Sequence, residues 1–181
     1  KGLRPLVMGY RDEEGGQKSY CFASETIALT SLGYTFLRDV EPGEVVFATK
    51  AGELHSAVVK KEKEIAHCMF EWVYFSGAES AQQGTSVYSA RLNLGARLGA
   101  RAREAIMRGE IAPDVVMPVP DTSRPAAISA ADVLKLPYRE GLIKNRYVQR
   151  SFILNSQEKR EAAVELKLSP IRSEIEGKSI F

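Results

Sequence analysis

The chain has 181 residues, 44% of them hydrophobic and 27% charged. That composition suits a soluble globular protein, and the length allows one ordinary domain or parts of two. A formal net charge of +2 gives no clustered basic field for nucleic acid, no apolar run approaches the roughly 20 residues of a membrane span, and no secretory signal opens the sequence.

The first third reads as strands and turns around one helix. Arg4–Tyr10 and Ser19–Ala23 are short apolar runs on either side of a polar, glycine-containing stretch, Asp12 to Lys18, which predicts a hairpin with a loose loop. Ser24-Glu25-Thr26 precedes Ile27, Ala28, Leu29 and Leu32, so a capping serine and an apolar face predict a short helix ending near Gly33. Tyr34–Val40 alternates as a strand does. Glu41-Pro42-Gly43-Glu44 is a turn, and Val45–Thr49 with Leu54–Val59 predict a further strand pair. Lys60–Glu64 (KKEKE) is a charged, solvated connection and marks the expected domain boundary, with residues 1–62 before it and 63–181 after.

The remainder changes character. Phe70–Phe75 is aromatic and β-prone, and Ala90–Met107 carries apolar residues at helical spacing with arginines between them. Asp114–Val119 is a continuous apolar run, the mark of a strand buried on both faces. Ala126–Leu134 predicts a helix, Tyr138 with Leu142–Ile143 a short strand, and Gln157–Leu168 an amphipathic helix. Gly177–Phe181 reads as the start of one more strand, and Lys1 falls within a strand region. Alternation of helix and strand predicts an α/β fold with a parallel sheet.

The sequence has two cysteines, Cys21 and Cys68, too few for a disulfide scaffold and pointing to a reduced intracellular protein. Cys68, beside apolar residues, reads as a buried thiol, since one thiolate holds neither zinc nor a cluster. His55 and His67 lack partners at ligand spacing, and Arg97, Arg101, Arg103 and Arg108 read as the solvated face of their helix.

Two places carry chemistry. The first is Val115–Ser123, where an apolar strand runs into a proline-stiffened turn bearing Asp121, Thr122 and Ser123 ahead of a helix. Ligands of open α/β sheets bind at the carboxyl ends of strands, and helix N-termini favour phosphate. A hydroxyl of Thr122 or Ser123 suits a phosphate-bound magnesium ion. Plain helix capping by the same residues is the competing explanation. The second place is Lys144-Asn145-Arg146-Tyr147-Val148-Gln149-Arg150, a run of three cations and an aromatic. It reads either as a flap that clamps phosphates and excludes water or as a solvated basic loop.

These segments resemble those of the glutamine amidophosphoribosyltransferases. Pro118-Val119-Pro120-Asp121-Thr122-Ser123, Pro137-Tyr138-Arg139-Glu140-Gly141 and Lys144-Asn145-Arg146-Tyr147-Val148 are similar to successive motifs of that family. Cys68–Phe75 and Ser86–Arg91 resemble the opening of its phosphoribosyltransferase domain. Gly2–Leu6, Ala23–Glu25 and Arg38–Glu44 resemble the end of its glutaminase domain. All fall in collinear order over nearly the whole chain.

The resemblance implies the C-terminal remnant of an Ntn-hydrolase glutaminase domain, an α/β/β/α sandwich, over 1–62. It implies the first part of a type I phosphoribosyltransferase parallel-sheet domain over 63–181. The implied reaction uses ammonia from glutamine on 5-phosphoribosyl 1-pyrophosphate (PRPP), with Mg2+, to give 5-phosphoribosylamine, the first step of de novo purine biosynthesis. Thr122 matches the magnesium-binding hydroxyl, and Asp121 and Ser123 flank it at the substrate. Lys144, Arg146, Tyr147 and Arg150 fall in the flexible loop over PRPP. Cys68 matches a ligand of a 4Fe-4S cluster that some members carry. Purine nucleotides are the family's inhibitors, its members are homodimers or homotetramers, and its setting is cytoplasmic.

The sequence departs from the pattern at Ser76-Gly77-Ala78-Glu79-Ser80, where the family usually reads Ala-Arg-Pro-Asp-Ser, and at Gln149, which replaces a loop glycine. The family's nucleophilic cysteine is expected upstream of Lys1 and its paired-aspartate motif directly after Phe181. The 181 residues by themselves are therefore expected to be inactive. The alternative function is a purine-nucleotide-binding regulatory module without catalysis.

Overall fold

A computed structural model of the chain describes residues 1–61, 64–148 and 153–181. The chain divides into two units, Lys1–Ala90 and Arg91–Phe181. That division falls later than the charged stretch at Lys60–Glu64.

In the first unit, β1 (Val7–Asp12) and β2 (Lys18–Ala23) form the expected antiparallel hairpin, in register from Val7 opposite Ala23 to Asp12 opposite Lys18. Helix α1 (Thr26–Ser31) follows, and β3 (Thr35–Asp39) pairs with the free edge of β1, giving the order β2-β1-β3. Val7, Met8 and Leu29 are the fully buried centre. The helix starts at Glu25 rather than at a capping serine, and no side chain caps it. The reason is that the Glu25 carboxylate is engaged elsewhere: its Oε2 accepts the Gly77 N–H at 2.7 Å and the Ser80 hydroxyl at 3.0 Å. The segment that departs from the family pattern is thus tied to the start of α1.

Strands β4 (Glu44–Ala48) and β5 (Leu54–Val58) make a second antiparallel hairpin. Gly43, before β4, has a φ of +80°, and a Cβ there would lie 2.0 Å from the Lys60 carbonyl oxygen, so only glycine fits the turn. Arg38 holds Glu44 with two parallel bonds of 2.8 and 2.6 Å. This bidentate pairing, helped by the Glu41 N–H, pulls the Glu44 carboxyl from 4.5 to about 2 against the opposing effect of burial.

The aromatic stretch differs from its expectation. Glu71–Phe75 is one π-helical turn, not a strand. The reason is its anchor: the buried Glu71 carboxylate accepts bonds from the distant Arg4 and from Ser76, which a flat strand would not bring together. The small pair β6 (Ala81–Gln82) and β7 (Thr85–Ser86) leads into α2 (Val87–Met107).

The second unit is built on three parallel segments. Val116 bridges Tyr138 on one side, and Val115 bridges Ile180 on the other. Backbone bonds extend this: Val116 N–H to Pro137 O, Arg139 N–H to Val116 O, Phe181 N–H to Val115 O and Met117 N–H to Phe181 O, all 3.0 to 3.1 Å. The expected buried strand is real but short, because Val119 is already 61% exposed. Helix α3 (Arg124–Leu134) covers it, with Val116, Ala130 and Ala131 buried against Leu136, Tyr138 and Phe181. Helix α2 approaches α3 through glycine: a Cβ at Gly95 would stand 2.1 Å from the Ala126 carbonyl oxygen.

Beyond this, β8 (Leu142–Lys144) pairs antiparallel with β9 (Leu168–Pro170), so Leu142–Ile143 is not a continuation of the Tyr138 segment in the parallel set. Between them lies α4 (Gln157–Lys167), whose N-cap Ser156 accepts from the Lys159 N–H. A short α5 (Arg172–Ile175) precedes the final strand segment. Among the described residues no helix is long and apolar enough to cross a membrane.

Candidate functional site

The turn after the central strand carries a cluster of charged side chains. The Pro120–Asp121 peptide bond is cis. Asp121 Oδ2 accepts the Lys144 ammonium at 2.9 Å, and its Oδ1 accepts Arg124 Nη1 at 2.8 Å. The Lys144 bond is the largest influence holding the Asp121 carboxyl below its ordinary value, with Arg124 and Arg146 adding to it through space and burial opposing it. One carboxylate thus gathers three cations. It stays ionised at neutral pH and keeps the base of the cationic segment against the turn.

The neighbouring hydroxyls behave differently from each other. Ser123 directly precedes α3, but its side chain does not cap the helix. Its Oγ donates to the Val119 carbonyl at 2.5 Å and so tightens the turn. Thr122, half-buried, makes no side-chain hydrogen bond among the described residues, which leaves its hydroxyl open to a ligand. Capping therefore does not account for either side chain.

Lys144 ends β8, where Asn145 N–H bonds to Lys167 O at 2.8 Å and fixes the exit direction. Arg146 is exposed, and Tyr147 is 96% exposed, its N–H bonded to the Asn145 side chain at 3.0 Å. Gln149 and Arg150 lie outside the described residues. The fold therefore bonds Lys144 to Asp121 on the turn that also carries Thr122 and Ser123, brings the charge of Arg146 within electrostatic reach, and leaves the Tyr147 ring in solvent.

Sequence reading missed Arg124, Glu140 and Tyr138 as parts of this cluster. Arg124 Nε donates to Glu140 Oε1 at 2.9 Å, and the Tyr138 hydroxyl donates to the same oxygen at 2.6 Å. The signals were present: Arg124 stands three residues after Asp121, and Tyr138 and Glu140 alternate on one face of an extended segment. Beside the turn is an apolar groove of about 370 Å³, lined by Met117, Pro118, Val119, Ser123, Ala126 and Phe181 among others.

In the first unit Cys68 is half-buried and free, as is Cys21. Its N–H bonds to Leu3 O and its carbonyl accepts the Glu71 N–H, so its backbone positions the π-helical turn. Among the described residues no three His, Cys, Asp or Glu side chains converge as a metal site.

No family model matches the chain. Curated relatives do. The amidophosphoribosyltransferase of Pasteurella multocida is 46% identical over 181 residues, covering 99% of this chain and 35% of that protein. Those of Escherichia coli and Saccharomyces cerevisiae are 43% and 41% identical, again over 99% of this chain and 35% and 36% of theirs. A solved structure described as glutamine phosphoribosylpyrophosphate amidotransferase from B. subtilis, complexed with ADP and GMP, superposes with a TM-score of 0.79 at 42% identity, covering 99% of this chain and 36% of that one. The chain thus spans about a third of the length of the relatives it matches. Along almost all of its own length, it is homologous to a segment of the amidophosphoribosyltransferases.

Proposed function

We propose that this chain is part of an enzyme that transfers ammonia from glutamine to PRPP, giving 5-phosphoribosylamine, pyrophosphate and glutamate at the first step of de novo purine biosynthesis. The observation that carries this reading is the bond from Lys144 to Asp121, next to Thr122 at the end of the central strand, in a chain homologous to that enzyme family. Residues 1–62 are assigned to the end of the glutaminase domain and 63–181 to the start of the phosphoribosyltransferase domain.

In the transfer step, the ammonia nitrogen forms a bond to C1 of the ribose while the bond from C1 to the pyrophosphate oxygen breaks. The leaving oxygen takes the electron pair, and the new C1–N group loses its surplus proton to solvent to give the amine. Fixed cations stabilise that developing charge, and a closed flap keeps water from competing with ammonia. Lys144, Arg146 and Arg150 are assigned the cationic role, and Tyr147 the role of covering the substrate. Asp121 and Ser123 hold the turn on which the pyrophosphate rests.

Magnesium fits this arrangement only as an ion that arrives with the pyrophosphate. Mg2+ is bound by few protein groups and several waters or phosphate oxygens. Among the described residues the Thr122 hydroxyl has no other partner, whereas both Asp121 oxygens are taken by Lys144 and Arg124. Bound at Thr122, magnesium would neutralise charge on the pyrophosphate. A 4Fe-4S cluster takes four thiolates, and Cys68 is assigned as one of them by family likeness. A cytoplasmic homodimer or homotetramer is the assembly we assign by family likeness.

A second reading has its own support. The matched structure was solved with ADP and GMP, and the apolar groove beside the Asp121 turn has the volume of a small-ligand pocket. A purine nucleotide would place its phosphate on the cations and its base in that groove, as a regulator. Calorimetric titration of the chain with PRPP, AMP and GMP in magnesium separates the two. The substrate reading expects PRPP to bind and Lys144→Ala to weaken it. Binding of nucleotides alone favours the regulatory reading, and no heat with any of the three contradicts both.

A further inference from the structure

Three side chains at the turn have no part in the function proposed above: Arg124, Glu140 and Tyr138. They form one continuous chain of bonds ending at Asp121. Tyr138 Oη and Arg124 Nε both donate to Glu140 Oε1, at 2.6 and 2.9 Å, and Arg124 Nη1 then donates to Asp121 Oδ1 at 2.8 Å. The Tyr138 phenol is pushed up to about 12, first by burial and then by Glu140, so it remains a donor at neutral pH. Glu140 Oε2 is buried with no hydrogen-bond partner, so the anchoring rests on Oε1 alone.

The geometry matters because a carboxylate turns easily about its last torsion, which has broad minima. Asp121 unsupported would present Lys144 with a moving acceptor. With Oδ1 held by the arginine, Oδ2 has one direction left, and it is the direction in which Lys144 lies. Only an arginine fork spans two carboxylates this way, since a lysine is a point charge. Glu140 and Lys144 do not bond to each other, and the bonded route between them runs through Arg124 and Asp121.

We infer that Arg124 and Glu140 are positioning residues, seated on Tyr138, which fix the Asp121 carboxylate and through it hold Lys144 at the pyrophosphate turn. The inference rests on the proposed function for its meaning but not for its test.

The test is a double-mutant cycle on the 181-residue chain, with magnesium pyrophosphate as the ligand in calorimetry. Glu140→Gln is expected to weaken binding about fivefold in the otherwise native chain, and by no more than about twofold when Lys144→Ala is already present. Arg124→Lys, which keeps the charge but loses the fork, is expected to follow the same pattern. Equal losses in both backgrounds would mean that Glu140 acts only on general stability, and would overturn the inference. If the native chain binds no pyrophosphate, the functional reading fails by itself. The positioning claim is then decided by crystal structures of the Arg124→Lys and Glu140→Gln chains, in which the Lys144 ammonium is expected to leave the Asp121 carboxylate that it bonds in the native chain. A Lys144–Asp121 bond kept in both variants overturns the claim.

Discussion

Lys144 stands 23 positions after Asp121 in sequence, and its ammonium donates to the Asp121 carboxylate at 2.9 Å. That bond joins the turn at the end of the central strand to the strand from which the cationic segment leaves. Two places that the sequence shows separately are therefore bonded to each other in the second unit.

The pair has a defined pH behaviour. Asp121 titrates below its ordinary value of 3.8 in the folded chain, chiefly because Lys144 donates to it. Its stabilising contribution is complete above that value and is lost as pH falls through the lower folded-state value. Lys144→Ala should cost less than about 1 kcal/mol near neutral pH, because both partners are about one-third exposed and solvent screens them. Urea unfolding of native and variant chains over a pH series should show that small gap closing in acid. A gap that widens in acid would mean the sign is wrong.

Glu44 makes a sharper prediction in the first unit. Its carboxyl lies at about 2 instead of 4.5, held by the Arg38 fork. The native chain should therefore lose stability between about pH 4.5 and about 2, and Glu44→Gln should be less stable at neutral pH with a flatter acid limb. Thermal melting against pH reads both effects. An unchanged acid limb in the variant would remove the Arg38–Glu44 pair from the account.

Close helix packing is tested at Gly95. A methyl group there meets the Ala126 carbonyl oxygen at 2.1 Å, against backbone that has no rotamer to yield. Gly95→Ala removes a glycine from a helix, which alone is favourable by roughly 0.5–1 kcal/mol. Overpacking, at about 1–3 kcal/mol, should outweigh that and leave a net loss of up to about 2 kcal/mol. Denaturant unfolding measures it, and a stabilised variant would show that α2 and α3 do not approach as described.

Much of this fold was legible because its signals are local. The hairpin of Val7–Asp12 and Lys18–Ala23, helix α3 and helix α4 follow from apolar spacing and turn residues. Phe70–Phe75 was misread because β-propensity reports side-chain shape, whereas the backbone there curls around the bond between Glu71 and Arg4. Ser24 looked like a cap, but Glu25 starts the helix and spends its carboxylate on Gly77 and Ser80, more than fifty residues away. The cations at 144 and 146 were visible as a run of charge. The role of Arg124 was not, since an arginine opening a helix is ordinary until Glu140 and Asp121 are seen on either side of it.

The central claim, that the turn at Thr122 and the segment leaving Lys144 form one PRPP site, is most directly tested by amide NMR of the 181-residue chain titrated with PRPP and magnesium. The account predicts concentrated shifts at Asp121–Arg124 and at Lys144–Tyr147, moving together along a single binding curve. Shifts confined to other segments, or the two groups responding at different ligand concentrations, would contradict it.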